Sequence, residues 1–312
     1  MLGGQSQYGS VLSSIEAFGF ENNACNIPNL PETRYGFAAF KTFSDQLAVC
    51  GGWWEGKPNS TDCLTLDTSE GQWVRGAFEG NLFGEGVRGV ASFDIQGIYI
   101  FHTWTTSILP TSNSWTRGPE APVEVECGCK VSDSSFVIIS SDEKNNVMEY
   151  SITNQRWEAK ETWPEMKFRR KGPGCGATSQ YLLVAGGVTQ QGEVLANVEI
   201  FTLDFKSLGR AANMSSPRSF FNLVPVGLIR PKLLAIGGRD ETTWISRTEF
   251  FEEEDNQWEE GPELGAARSS FGSIMIEASF GCTDKLASYT CPANEGDDLA
   301  CDVSGMSVKL GN

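Results

Sequence analysis

The 312-residue chain carries 40 Asp and Glu against 24 Lys and Arg, a formal net charge of −16, with nine cysteines and one histidine. That balance repels phosphate overall and argues against a nucleic-acid partner or an acidic membrane surface. No run of 18 apolar residues offers a membrane span, and a lone histidine without any CxxC argues against structural zinc or a redox dithiol.

In chain order, MLGG (1–4) reads as the tail of a strand ended by two glycines, and SIEAFGF (14–20) as the strand after it. LPETRYGFAAF (30–40) is a link that ends in an arginine and runs into a new strand. LAVCGG (47–52) and CLTLD (63–67) follow, and the turn DTSEGQW leads to Trp73. The same order returns as GVRGVASF (86–93), GIYIFHT (97–103) and TSNSW ending at Trp115. Next come SFVIISS (135–141), VMEYSI (147–152) and TNQRW ending at Trp157, then YLLVAGG (181–187) and VEIFTLD (198–204). SPRSFFNLVPV (216–226), KLLAIGG (232–238), TEFFEE (248–253), EEDNQW ending at Trp258 and GAARSSFGSIMI (265–276) complete the series. Alternation of apolar and polar residues over four to eight positions predicts strands throughout, and no sustained 3.6-residue stripe predicts a long helix.

Two markers recur in phase. The paired position that the glycines occupy falls at 3, 51, 102, 140, 186 and 237. The tryptophan position falls at 25, 73, 115, 157, 208 and 258, with Cys25 and Leu208 as the degenerate copies. Both count six units of strand, strand–Gly–Gly, strand, turn and Trp strand, a period characteristic of repeat folds.

This pattern resembles the kelch repeat, with its Gly-Gly pair, its Trp and its Arg before the next strand, over roughly residues 1–278. The units at 30–80 and 215–265 match best; the unit at 85–120 lacks the glycines and that at 175–215 lacks the Trp. The resemblance implies an all-β, six-bladed propeller of four-stranded antiparallel blades around a channel. The closing blade is then shared between the termini, with 269–278 as its innermost strand beside MLGG. Only Met1 and Leu2 precede those glycines, so the chain start is expected to lie inside a strand, with a signal sequence missing ahead of it. Residues 1–279 form the propeller on this reading, and 280–312 an acidic tail with three of the cysteines. The tryptophans are expected to pack between blades.

In the repeat frame Cys50 and Cys63 lie on neighbouring antiparallel strands and are expected to form a disulfide staple. Cys175 is a candidate partner for Cys127 or Cys129, and one tail cysteine for Cys25. Asn59 (Asn-Ser-Thr) and Asn213 (Asn-Met-Ser) are glycosylation sequons. Together these features favour an oxidising, extracellular setting, with a cytoplasmic adaptor or cytoskeletal protein as the alternative.

Two loop sets are candidates for partner binding at one end of the channel. Arg34, Arg88, Arg170, Arg218 and Arg268 recur before the inner strands, either as a basic ring at the mouth or in pairs with local acids such as Glu32, Glu85 and Glu263. Trp53 and Trp54 follow one Gly-Gly pair, and Arg239 and Trp244 the corresponding pair of a later unit. Exposed tryptophans beside polar groups suit a protein or glycan partner. Lys167-Phe168-Arg169-Arg170-Lys171 is the one dense basic stretch and reads as a solvated loop.

No cofactor and no catalytic residue are assigned, and an enzyme or small-molecule-binding propeller of a non-copper type stands as the second alternative. The copper site of the galactose oxidase group needs two histidines, and His102, in a glycine slot, is expected to be packed. The acidic surface is compatible with calcium, although no EF-hand-like loop assigns ligands to it.

Overall fold

The computed structural model describes residues 1–17, 27–54, 60–76, 78–82, 84, 87–93, 96–141, 147–158, 166–204, 206–226 and 232–276. Over these the chain is all-β, a propeller of five four-stranded antiparallel blades rather than the expected six. The chain first forms a two-stranded sheet, β1 (Leu2–Gln5) and β2 (Val11–Ile15). A short ladder of β3 (Arg34–Tyr35) with β6 (Trp53–Trp54) caps blade 1, which consists of β4 (Ala38–Lys41), β5 (Leu47–Cys50), β7 (Cys63–Asp67) and β8 (Gln72–Arg75). Blade 2 is β9 (Gly89–Phe93), β10 (Gly97–Phe101), β11 (Thr106–Leu109) and β12 (Thr116–Arg117). Blade 3 is β13 (Val125–Ser132), β14 (Ser135–Ser140), β15 (Val147–Ser151) and β16 (Arg156–Trp157). Blade 4 is β17 (Gly174–Ala177), β18 (Tyr181–Ala185), β19 (Val198–Thr202) and β20 (Ser207–Ala211). Blade 5 is β21 (Asn222–Val226), β22 (Lys232–Ile236), β23 (Thr248–Glu252) and β24 (Gln257–Glu260).

Among the described residues the sixth repeat forms a two-stranded sheet and not a four-stranded blade. Residues 269–272 join β1 only through isolated bridges, Leu2 with Gly272 and Gln5 with Ser269. A register shift between Leu2 and Gly4 also interrupts the ladder of β1 with β2. The expected outer strand around Cys25 lies outside the described residues, as do the cysteine-bearing tail, Asn59 and Glu85.

The core lies between neighbouring units rather than inside one. Ile98 and Ile100 of blade 2 pack on Ala38, Phe40 and Ala48 of blade 1, and Phe221, Leu223 and Leu233 of blade 5 on Leu183 and Ala185 of blade 4. On either side of the sixth unit, Leu2 and Ile274 pack with Phe37 and Val49 of blade 1, and Met1 and Phe271 with Ile236 and Phe250 of blade 5. Burial of this kind, at about 25 cal/mol per Å² of apolar surface, is what holds the units side by side.

The tryptophans, expected to pack between blades, do not all do so: three of them form hydrogen bonds within their own units. Trp73, Trp157 and Trp258 donate from Nε1 to the carbonyls of Pro28 (2.9 Å), Glu120 (2.7 Å) and Ala212 (2.8 Å), tying each outer strand to the link that feeds its own blade. Trp115 instead packs edge-on against Phe40 of the neighbouring blade.

The glycine pairs are required by two constraints at once. Gly186 has φ +61°, in the left-handed region that favours glycine. A Cβ there would lie 2.3 Å from the backbone oxygen of Arg218 in the next unit. Gly3 stands in the same relation to Arg34, at 2.5 Å, so the N-terminal unit meets blade 1 as blade 4 meets blade 5.

Candidate functional site

The links that enter the inner strands and the Gly-Gly hairpins meet at one end of the propeller. There the residue after each arginine pairs with the residue after each Gly-Gly: Tyr35 with Trp53, Lys171 with Val188, Ser219 with Arg239, and Ser269 with Gln5. One residue further on, backbone hydrogen bonds run from unit to unit around the mouth. Gly36 donates to Ser270 (2.7 Å), Ser270 to Phe220 (2.9 Å), and Phe220 to Gly172 (2.8 Å). Gly172 donates to the Glu126 carboxylate of blade 3 at 3.0 Å. All four linking residues, including Phe220 (φ +54°) and Ser270 (φ +51°), have positive φ, strain that costs on the order of 1–3 kcal/mol for a residue with a side chain.

The arginines do not form a basic ring. Arg34, Arg170, Arg218 and Arg268 are at most 1% exposed. Each stands four residues before the inner-strand residue that faces its unit's last pre-glycine position. Arg218 donates from Nη1 to the carbonyls of Gly237 (2.9 Å) and Arg247 (3.0 Å) and from Nη2 to Glu249. Glu249 in turn accepts from the backbone N–H groups of Ser215 (2.6 Å) and Ser216 (3.3 Å). Arg170 repeats this with Gly186, Asn197 and Glu199, and Arg268 with Gly3, Ser14 and Glu16. Arg34 uses Gly51, Asp62 and Glu32. Of the anticipated acids, Glu32 is thus a partner, whereas Glu263 accepts from Ser246 and the partner of Arg268 is Glu16. A guanidinium so enclosed lies out of a ligand's reach; its hydrogen bonds clamp link to hairpin.

Arg88 is out of register. Gly89 faces Phe101, the last residue before the degenerate glycine slot, so Arg88 precedes that position by one residue and not by four. In blade 3 Cys127 faces Ile139, the residue before the slot at 140, so Val123 occupies the arginine position, and Arg169 from the neighbouring link donates to the Ser141 carbonyl, from Nε at 2.9 Å and Nη2 at 2.6 Å.

The aromatic candidates come to the rim. Trp53 is 42% exposed and stacks on Tyr35, ring centroids 6.2 Å apart. Trp54 lies below the guanidinium of Arg75, 5.8 Å from it. Arg239 is exposed, its guanidinium carbon 5.0 Å over the Phe220 ring, and Trp244 donates from Nε1 to Ser269 Oγ at 3.1 Å. Trp104, which sequence reading passed over, is 56% exposed, more than any of these. Its signal was present: His102 and Thr103 fill the glycine slots, so Trp104 stands where Trp53 stands.

His102 is buried, its Nε2 2.9 Å from Ser107 Oγ, and burial lowers its pKa to about 4. The imidazole is therefore neutral at pH 7 and offers no charge to a ligand. Between about pH 6.5 and 4 the unfolded chain binds a proton that the folded one refuses, so stability falls as pH drops through that window. The His102→Gln variant should lose up to roughly 3 kcal/mol less than wild type between pH 7 and pH 4.5, read from urea midpoints. Equal losses would show that the imidazole titrates normally.

Among the described residues no group of three or more His, Cys, Asp and Glu side chains is placed to hold a metal ion. Among the described residues no helix is long and apolar enough to cross a membrane. Comparison with known proteins finds no matching family model and no matching curated protein.

Proposed function

We propose that this chain is a secreted, kelch-type propeller, completed as a six-unit ring by its two ends, that binds a protein or glycan partner through the Gly-Gly end. The observation that carries the binding role is the pair Trp53 and Trp104. Both are exposed at the same repeat position on the rim, where the arginine clamps and glycine pairs already account for stability. A large apolar ring left open beside polar groups is the usual anchor of a recognition surface. Support for secretion comes from the Cys50–Cys63 and Cys127–Cys175 disulfides and from Asn213, which is exposed in the link before blade 5.

The test has two parts. Peptide mapping of protein from its natural source, with and without reduction, should recover both crosslinks and a glycan on Asn213; free thiols and an unmodified Asn213 would return the intracellular adaptor to first place. On an array of extracellular glycans and matrix proteins, wild type should retain a ligand that the Trp53→Ala/Trp104→Ala variant loses. Equal retention by both proteins would remove the rim from consideration.

A further inference from the structure

The distribution of unpaired positive charge is uneven. Among the described residues the exposed cations Arg75, Arg117, Arg156 and Lys206 each lie within 4.0 Å of a carboxylate. Lys167, Lys171, Arg210, Arg239 and Arg247 are exposed as well, and none of them has a carboxylate of the described residues within that distance. All five belong to blades 4 and 5 and to the Gly-Gly end. Lys167 and Lys171 lie in the link before blade 4. Arg210 is next to last in β20, at the end from which the following link departs. Arg239 follows a Gly-Gly pair, and Arg247 directly precedes β23.

Two of these cations are held in place. The Arg210 guanidinium carbon lies 4.9 Å over the Phe168 ring, whose neighbour Arg170 lies 5.6 Å from the same ring. Arg239 covers Phe220 in the same way. Phe220 packs against Gly172, where a Cβ would fall 2.7 Å from the ring, which joins the blade 4 link to the blade 5 hairpin. The basic stretch 167–171 is therefore not a solvated loop. Arg170 is buried, Arg169 is tied to Ser141, and Lys167 and Lys171 flank them on an ordered surface.

We propose that this crescent binds a sulfated, acidic polysaccharide. The proposal rests on the Gly-Gly end being a binding face outside the cell. Guanidiniums already cover Phe168 and Phe220, so these rings offer no bare apolar floor for a peptide side chain. What remains is spaced charge running from rim to mouth. A single exposed ion pair contributes at most about 1 kcal/mol, so affinity must come from many anions on one chain. Sulfate esters repeated along a polysaccharide meet that need, and guanidinium suits their oxygens. The net charge of −16 conceals the crescent; of the acids beside it, Asp240 accepts from the Thr242 and Thr243 backbone and Glu263 from Ser246.

The probe is heparin, with the full chain at about 0.1 M salt. Wild type should bind, and the Lys171→Glu/Arg239→Glu variant should bind at least tenfold more weakly. Its slope of log affinity against log salt should fall by about two, near one for each contact removed. The Lys206→Glu change, at a paired cation, should alter affinity less than twofold. Failure of wild type to bind at about 50 mM salt would overturn the proposal. So would equal binding of desulfated heparin, or equally tight binding of polyglutamate of matched charge, which would transfer the surface to acidic polypeptides. The charge variants lie on the surface, and an unchanged melting temperature certifies their fold. Binding that persists in the Trp53→Ala/Trp104→Ala variant supports a charged crescent separate from the aromatic rim; intact crosslinks with no heparin binding would sink the crescent alone.

Discussion

Replacing Arg218 with Ala should destabilise the protein by about 3–5 kcal/mol, enough to lower the melting temperature by several degrees or more. Arg218 is fully buried, and desolvation pulls its pKa down while the Glu249 charge opposes that fall. Removing the guanidinium leaves Glu249 buried and charged, and strips the Gly237 and Arg247 carbonyls of their donor. Breaking one side of such a pair costs far more than exchanging both sides for apolar groups. The Arg218→Met/Glu249→Leu variant should therefore recover part of the loss. Arg268→Ala should cost as much or more. Its partners Gly3, Ser14 and Glu16 lie more than 250 residues away, so the clamp holds the two ends of the chain together. Urea midpoints of the single and double variants give the answer. A loss below about 1 kcal/mol at either arginine would mean that the clamp is a by-product of packing.

That clamp shows where sequence reading reaches and where it stops. The strands of blades 1, 4 and 5 were legible because LAVCGG, YLLVAGG and KLLAIGG carry both the alternation and the positive-φ glycines that end it. The arginines were legible as a recurring feature, but their direction was not. Arg170 and Glu199 are 29 residues apart, and Arg268 and Glu16 are 252 apart, so only the closed ring reveals the pairing. Arg88 was counted with them because a nearby arginine counts as a match until strand register places it three positions away. Trp104 was missed for the opposite reason. The slot at His102 was counted, but with no glycine in it the residue two positions on does not read as the counterpart of Trp53. The number of complete blades was overestimated because two periodic markers count repeats, whereas the described strands of the first unit, β1 and β2, form only a two-stranded sheet.

Loss of the Cys127–Cys175 disulfide should cost about 4 kcal/mol and loss of Cys50–Cys63 about 3, from the chain entropy of loops of 48 and 13 residues. Both bonds stand where the arginine clamp departs from its pattern. In blade 1 Leu64 faces Val49, at the position where Glu199 and Glu249 face Val184 and Ala235 in blades 4 and 5. The cross-strand pair Cys50 and Cys63, Cα atoms 4.1 Å apart, joins the adjacent rung covalently. Blade 3 has Val123 in place of the arginine, and its inner strand is joined to that of blade 4 through Cys127 and Cys175, Cα atoms 6.1 Å apart. The seam between blades 3 and 4 thus carries a covalent link beside the polar contacts of Gly172 with Glu126 and of Arg169 with Ser141. Cys175→Ser should lower the denaturation midpoint more than Cys63→Ser, and reductant should lower that of wild type to below either variant. Cys129 packs beside Cys127 and Cys175, and burial pushes its thiol pKa up to about 12. It is a thiol rather than a thiolate at neutral pH, so exchange with the neighbouring disulfide is suppressed in the folded state. Alkylation of the native protein should leave Cys129 unmodified and yield the Cys127–Cys175 peptide alone. A Cys129–Cys175 crosslink in that map would show that the seam shuffles its bond, and the larger stability loss would then belong to a mixture rather than to one disulfide.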